Sequence, residues 1–440
     1  MKKLITLLIL FVGMVSSVSA TDYVVAGVAA IANGHEWDND ASDNVMSEAD
    51  TDHYYLVVRN CNLYAPTGEY ENKYTWQVVK KGTWDDYKTG TYDLKVSENG
   101  TYTLIFIVTI STKNLEVIPV KNLTLSNNYG ENNTWNCDNS SFYFSYSGGT
   151  KWTIDVNSSD VSKSWRFRIW TSGIKYWDGW HNIAASEEGQ SISIASSSDA
   201  AYAENDTDNS WEVPFPSYAF DKYTISAEYD VINSKWVVSA DAYISKTVNK
   251  AQKWATLGCD GAALDLSGLA AKSITAYPLT VSSKGFITKG DAITGVLAAN
   301  KGVLLETAAD ENVTLSIPVS VETGTDGSTQ LVATTGTRVI KVTEDGYTNY
   351  ILAEQDGHVG FYKVNDSGNG MLANTAYLHV ADTYVPKARA FFWFEDETTG
   401  IEAAKASQKM NGECFNLAGQ RVAQPTKGLY IVNGKKVIMK

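Results

Sequence analysis

Hydrophobic and polar residues alternate along most of this chain in short runs. In residues 92–96, 102–106 and 236–239, for example, every second side chain is apolar. This period of two places the apolar side chains on one face of a β-strand. Turn-forming Asn, Gly, Ser and Asp residues separate the runs. Only 402–409 has a helical pattern, and a weak one. The pattern therefore predicts an all-β fold.

The apolar positions recur in two successive segments, 22–120 and 121–248, which we call the first and second modules. Five positions at offsets 0, 9, 17, 19 and 21 are apolar in both: Trp37, Met46, Tyr54, Leu56 and Val58 in the first module, and Trp135, Phe144, Trp152, Ile154 and Val156 in the second. A further match aligns Tyr74, Trp76 and Val78 with Trp165, Phe167 and Ile169. The repeat predicts two tandem immunoglobulin-like β-sandwich modules.

The flanking segments differ from these modules in composition. Residues 1–20 combine two lysines, an apolar run and a small-residue cleavage site, which is typical of a signal peptide. Residues 250–397 are poor in tryptophan and rich in Ala, Thr, Val and Gly, which predicts a separate accessory β domain. Residues 398–440 form a small C-terminal β unit, in which Asn433-Gly434 predicts a hairpin.

Composition excludes several classes of partner and site. A net charge of −14 argues against nucleic acid, and no later apolar run is long enough for a transmembrane segment. The four cysteines are far apart and predict free buried thiols rather than a disulfide framework or metal cluster. The acidic loops 38–43 and 204–208 lack the glycine and glutamate of a calcium loop, so solvated turns are the favoured interpretation. We predict no cofactor and no metal.

Period two also separates core tryptophans from candidate binding residues. Five tryptophans each share a strand face with other apolar residues and are predicted to lie in the core: Trp76, Trp152, Trp165, Trp211 and Trp236. Phe215 is predicted to lie in the same core row as Trp211. Trp37 and Trp135 occupy equivalent positions of the repeat, which favours shared packing. The remaining aromatic residues, with two arginines on the face of Trp170, are the candidate carbohydrate-binding residues: Trp177, Trp180, Tyr176, Trp170, Arg166, Arg168, Trp84 and Tyr87.

Indole and phenol rings stack on the C–H face of a pyranose, and polar neighbours bond its hydroxyl groups. The loop with Tyr176, Trp177 and Trp180 has two interpretations. It forms a sugar platform, or it folds back and caps one end of the sandwich.

Two resemblances add to this interpretation. The tail, FNLAGQRVAQPTKGLYIVNGKKVIMK, resembles the C-terminal sorting domain of Bacteroidota proteins exported by type IX secretion. It implies a partner in that machinery and an outer-membrane surface or extracellular location. YENKYTWQVVKKGTWDDY, followed by YDLKVSENGTYTLIF, is similar to glycan-binding modules of Bacteroidota outer-membrane starch-binding proteins. This resemblance implies a polysaccharide or oligosaccharide partner, such as an α-glucan.

The sequence contains no His-Glu-x-x-His helix, Gly-x-Ser-x-Gly elbow or Walker loop. We therefore predict a non-enzymatic carbohydrate-binding protein of the cell surface. The alternative is a structural or adhesive surface protein without sugar binding, and a glycoside hydrolase is the third hypothesis.

Overall fold

The computed structural model describes residues 22–68, 72–129, 135, 139–171, 181–203, 209–282, 287–336, 338–355, 357–384, 391–393, 414–415, 422, 428–432 and 435–439. In this part of the chain the fold is all-β and multi-domain, as predicted. The helical elements there are 3₁₀ turns of three residues: Ala29–Ile31, Ser42–Asn44, Ser140–Phe142, Ser158–Asp160 and Ala270–Lys272. The chain divides into two compact units. Unit 1 contains the described residues of Met1–Pro216 with Asp221–Tyr243, and unit 2 contains those of Ser217–Phe220 with Ile244–Lys440.

The first module is a sandwich of a three-stranded and a four-stranded sheet, with strand orders β1-β4-β5 and β2-β3-β6-β7. Its strands are β1 (Tyr23–Gly27), β2 (Ser47–Glu48), β3 (His53–Leu63), β4 (Tyr74–Lys80), β5 (Tyr92–Leu94), β6 (Gly100–Thr109) and β7 (Asn114–Val120). Side chains from both sheets form one core, in which the ring of Trp76 meets that of Phe106 at 4.6 Å. Alternation along β4 therefore places one row of side chains between the sheets.

The second module contains β8 (Leu123–Asn127), β9 (Ser145–Gly148), β10 (Lys151–Asn157), β11 (Trp165–Thr171), β12 (His181–Ala184), β13 (Gln190–Ser191), β14 (Ser196–Ala203), β15 (Trp211–Val213), β16 (Lys222–Asp230) and β17 (Lys235–Val248). β11 lies between β8 on one side and β12 and β15 on the other. β9, β10, β16 and β17 are neighbours in that order.

The two modules share an order of strand pairing. β1 pairs with β4 as β8 pairs with β11, and β2 pairs with β3 as β9 pairs with β10. The hairpin β6–β7 likewise corresponds to β16–β17. Met46 donates its N–H to the Tyr23 carbonyl, and Phe144 donates its own to the Leu123 carbonyl, both at 2.8 Å. Residues that match in the sequence therefore lie at matching places in the two sandwiches.

The period-two prediction of core tryptophans is confirmed for the five residues assigned in this way. These five are at most 5% exposed: Trp76, Trp152, Trp165, Trp211 and Trp236. The prediction is wrong for Phe215, which is 41% exposed because β15 ends at Val213 and Pro214 follows. Trp37 is half-buried and packs outside the main core, on Val24 and Val79.

Unit 2 contains the remaining strands, which form several small sheets. They are β18 (Trp254–Gly258), β19 (Ala263–Asp265), β20 (Ile274–Tyr277), β21 (Leu279–Val281), β22 (Ile287–Lys289), β23 (Val296–Leu297), β24 (Gly302–Thr307), β25 (Val313–Ser320), β26 (Leu331–Ala333), β27 (Val339–Ile340), β28 (Thr343–Glu344), β29 (Tyr347–Gln355), β30 (His358–Lys363), β31 (Asn369–Gly370), β32 (Ala376–Ala381), β33 (Phe391–Trp393), β34 (Cys414–Phe415), β35 (Gly428–Val432) and β36 (Lys435–Met439).

A core in unit 2 includes Leu304, Tyr350 and Phe361. The C-terminal hairpin is confirmed, because β35 pairs with β36 with Val432 opposite Lys435. Within the described residues, no helix has the length and apolar composition to cross a bilayer. Cys61 and Cys259 are free and buried, as predicted for the thiols.

Candidate functional site

The outer face of β11 contains three of the candidate binding residues. Burial alternates along this strand, so that Phe167 and Ile169 point into the core and Arg166, Arg168 and Trp170 lie on the opposite face. The predicted separation of Trp170 from the core row is therefore confirmed. The neighbouring strand β8 places Ser126 opposite Arg168 and Thr124 opposite Trp170. The name outer-face cluster is used for five residues on this side of the sheet: Thr124, Ser126, Trp135, Arg168 and Trp170.

Trp135 belongs to this cluster and not to the core, contrary to the prediction from the repeat. It is 41% exposed, on the segment between β8 and β9. The guanidinium carbon of Arg168 lies 4.5 Å from the centre of the Trp135 ring and 5.9 Å from that of Trp170. A guanidinium within about 6 Å of an indole face is attracted by the ring quadrupole. Arg168 thus connects the two tryptophans through their rings.

The equivalent place in the first module is an apolar contact. There Val24 lies opposite Val79, and Ala26 lies opposite Gln77. Trp37 packs on Val24, Ala26 and Val79. In the second module the register partners are Thr124 with Trp170 and Ser126 with Arg168. The second copy therefore has polar groups and a second indole where the first copy has a small hydrophobic cluster. This divergence marks the outer face of β11 as the candidate site.

The outer-face cluster contains buried polar atoms without a hydrogen-bond partner among the described residues, including the hydroxyl of Thr124 and the Nε1–H of Trp170. A buried polar group without a partner costs about 1–3 kcal/mol. Such groups are rare in native structures, and here they lie beneath the surface of the cluster.

Arg166, also on this face, is engaged by two carboxylates. Its Nε donates to Glu212 at 3.0 Å and its Nη1 donates to Glu188 at 2.9 Å. The hydrogen bond to Glu212 is the main cause of the raised pKa of Arg166. Arg166 therefore borders the outer-face cluster as part of an ion-pair network.

The two candidate residues of the first module are in different environments. Trp84 is 36% exposed in the turn after β4. Tyr87 is half-buried rather than exposed, because its ring packs against Tyr23 at 5.0 Å and its hydroxyl donates to the Ile110 carbonyl at 3.3 Å. Burial raises the pKa of Tyr87 to about 12. Its ring is part of the core edge and offers no free stacking face comparable to that of Trp84.

Three candidates, Tyr176, Trp177 and Trp180, lie outside the described residues, in the segment that directly follows β11. The acidic loop 204–208 also lies outside them. In the loop 38–43, Asp38 accepts the Asp40 N–H at 2.9 Å and Asp43 pairs with His35 at 2.9 Å. These are bonds of a polar turn. In the described part of the chain no group of three or more His, Cys, Asp or Glu side chains is placed to hold a metal ion.

Trp135 is the residue that sequence reasoning missed. Its equivalence to Trp37 gave the correct position in the repeat, but not the surroundings. The sequence contained a signal of this difference, because Thr124 and Ser126 of the second module replace Val24 and Ala26 of the first. An exposed ring face beside a guanidinium suits a ligand with both C–H faces and hydroxyl groups.

No protein-family model and no curated protein sequence matches this chain. Among solved structures, it is similar to a pullulanase from Bacillus acidopullulyticus, with 13% identity and a TM-score of 0.19 over 74% of this chain. The match spans 30% of the length of that pullulanase. At this level the similarity supports no assignment of function.

Proposed function

We propose that this chain binds a polysaccharide without cleaving it, and that the outer-face cluster of the second module is its principal contact. The observation that supports the proposal is the position of Arg168 between the rings of Trp135 and Trp170. An indole that is 41% exposed and fixed in this way offers a flat apolar face at little cost in conformational entropy. Sugar rings stack on such faces.

The Thr124 hydroxyl and the Trp170 N–H are buried beneath this face. The exposed Trp135 ring is therefore the group of the cluster on which a sugar would stack. An exposed ring face held by a guanidinium favours binding over bond cleavage. The loop with Trp177 and Trp180 follows β11 directly and would extend the surface.

We further propose that the binding takes place outside the cell. The signal-peptide pattern of residues 1–20 supports export, and the resemblance of the tail supports passage through the type IX machinery to the outer-membrane surface or the medium. The similarity of the first module to starch-binding proteins makes an α-glucan the first polysaccharide to test.

The experiment is affinity electrophoresis of the mature protein in gels with and without amylopectin, followed by a panel of other neutral polysaccharides. We expect Trp135→Ala to lose most of the retardation, and unfolding free energy to fall by no more than about 1 kcal/mol, because the side chain lies outside the core. Phe215→Ala is the matched control, since it removes an equally exposed aromatic ring from the same unit.

The same gels test the two interpretations of the loop. The double variant Trp177→Ala/Trp180→Ala should lose retardation with little loss of stability if the loop is a platform. Loss of about 3–5 kcal/mol with unchanged retardation would identify it as a core cap. If no polysaccharide retards the wild-type protein, the proposal is wrong and the structural or adhesive alternative replaces it.

A further inference from the structure

A second candidate binding site lies in the first module, away from β11. A pocket of about 500 Å³ is formed by the turn 29–34, which follows β1, and by residues 58–62 of β3. This volume is within the usual range for small-molecule sites. Arg59, Asn60 and Asn62 are exposed at its edge, and Cys61 is buried beneath it.

An irregularity of β3 forms one wall of this pocket. The pairing of β3 with β6 shifts register between Val58 and Cys61, so that Arg59 and Asn60 have no register partner in the ladder. Asn60 adopts a left-handed conformation, with φ of 59°. The corresponding strand of the second module, β10, ends at Asn157, the position equivalent to Arg59. The bulge at Arg59 and Asn60 therefore has no counterpart at the equivalent positions, and bulges are common beside functional sites, where they redirect side chains.

The bulge presents a guanidinium whose hydrogen-bonding edge is available. The guanidinium carbon of Arg59 lies 4.4 Å from the centre of the Tyr146 ring. A cation–π contact is electrostatic and needs no hydrogen bond from the guanidinium, so its N–H donors remain for a ligand. The Tyr146 ring is itself held in place, because its hydroxyl donates to the Gly149 carbonyl at 3.0 Å and its ring packs on Trp152.

Two acidic groups close to this pocket in the sequence already have partners. Glu36 accepts the Ala29 N–H at 2.7 Å, and Asp43 pairs with His35 at 2.9 Å. The pocket wall itself contains amides, small apolar residues and Arg59, with no carboxylate. Although the chain as a whole is acidic, the charged side chain among the described residues that line this pocket is Arg59.

We propose that this pocket binds an acidic saccharide, an oligosaccharide containing uronic acid, whose carboxylate is bound by Arg59. A guanidinium matches a carboxylate with two parallel N–H···O bonds. The Asn60 carboxamide provides a donor and an acceptor for the ring hydroxyls, and Asn62, whose Oδ1 accepts the Thr101 hydroxyl at 2.8 Å, provides N–H donors. The Cys61 thiol is not a reactive group of this site, because burial raises its pKa to about 12. The site is separate from the outer-face cluster and does not depend on it.

Calorimetric titration of the mature protein with trigalacturonate tests the proposal. Arg59→Gln removes the charge, and Ala30→Trp places a large ring at an exposed position of the pocket wall. We expect each variant to weaken binding by at least about tenfold, the loss expected for a charge-assisted hydrogen bond. Lys163→Gln is the control, because it removes an exposed positive charge from the same unit at a distant sequence position. It should bind like the wild type.

Further arms separate this proposal from the previous one. In the Trp135→Ala variant, in which the proposed outer-face site is lost, maltotriose has no carboxylate and should bind at least about tenfold more weakly than trigalacturonate, and salt should weaken only the acidic ligand. Trp135→Ala should leave trigalacturonate binding unchanged. The proposal is wrong if the wild type does not bind trigalacturonate at millimolar concentration, or if Arg59→Gln binds it as the wild type does. Unchanged melting temperatures of the variants exclude misfolding as the cause of a loss.

Discussion

Replacing Thr124 by valine tests whether the outer-face cluster reduces the stability of the second module. The Thr124 side chain is fully buried, and its hydroxyl has no partner among the described residues. Valine has nearly the same shape, and it is the residue type found at the equivalent position, Val24. The substitution therefore removes a desolvated polar atom without leaving a cavity.

The expected gain follows from the desolvation of this one group. An unsatisfied buried hydroxyl costs about 1–3 kcal/mol, so Thr124→Val should raise the free energy of unfolding by about that amount. For a unit of this size, about 2 kcal/mol corresponds to a rise in melting temperature of roughly 4–8 °C. Urea denaturation followed by tryptophan fluorescence measures the free energy, and calorimetry measures the transition temperature.

Thr89→Val is the matched control in the same unit. The Thr89 hydroxyl is also buried, but it accepts the Val78 N–H at 3.0 Å and donates to the Gly90 carbonyl at 2.8 Å. Its loss leaves a buried N–H without an acceptor, so the same chemical change should destabilise by about 1–3 kcal/mol. Equal effects of the two substitutions, or a loss of stability in Thr124→Val, would refute the reasoning.

Three further predictions concern pH, thiol chemistry and export. Burial raises the pKa of Tyr102, so its proton is retained in the folded state while the unfolded chain releases it near pH 10. The contribution of Tyr102 to the free energy of unfolding should therefore be constant below about pH 10 and fall by about 1.4 kcal/mol per pH unit above it. Urea denaturation at a series of pH values should show a smaller decrease of this free energy with pH for Tyr102→Phe than for the wild type. Burial likewise raises the pKa of Cys259 to about 12. In a variant that retains only this cysteine, a thiol reagent at pH 8 should therefore label the unfolded protein and leave the folded protein unlabelled. Deletion of 398–440 should leave the protein in the periplasm of a host with type IX secretion; its unchanged appearance at the cell surface would contradict the proposed sorting role.

The sequence alone determined the fold class, the repeat and most of the core. Alternation with a period of two is a local property, because neighbouring side chains on a strand point to opposite faces whatever the sheet packs against. It therefore identified Trp76 and Trp165 as core residues and placed Trp170 on the other face of β11. The Asn-Gly pair likewise predicted the C-terminal hairpin, because this dipeptide favours a tight turn between two antiparallel strands, and β35 does pair with β36.

Only the tertiary structure decided what lies over each face. Trp135 and Trp37 are equivalent in the repeat, yet one lies against the Arg168 guanidinium and the other packs on Val24, Ala26 and Val79, because the side chains of the paired strands beneath them differ. The burial of Tyr87 depends on its contact with Tyr23, and the pocket at Arg59 depends on a register shift against β6. The spacing of residues along the chain does not specify these distances between strands. The outer-face cluster and the pocket at Arg59 therefore form only when the strands are paired and the two sheets are packed.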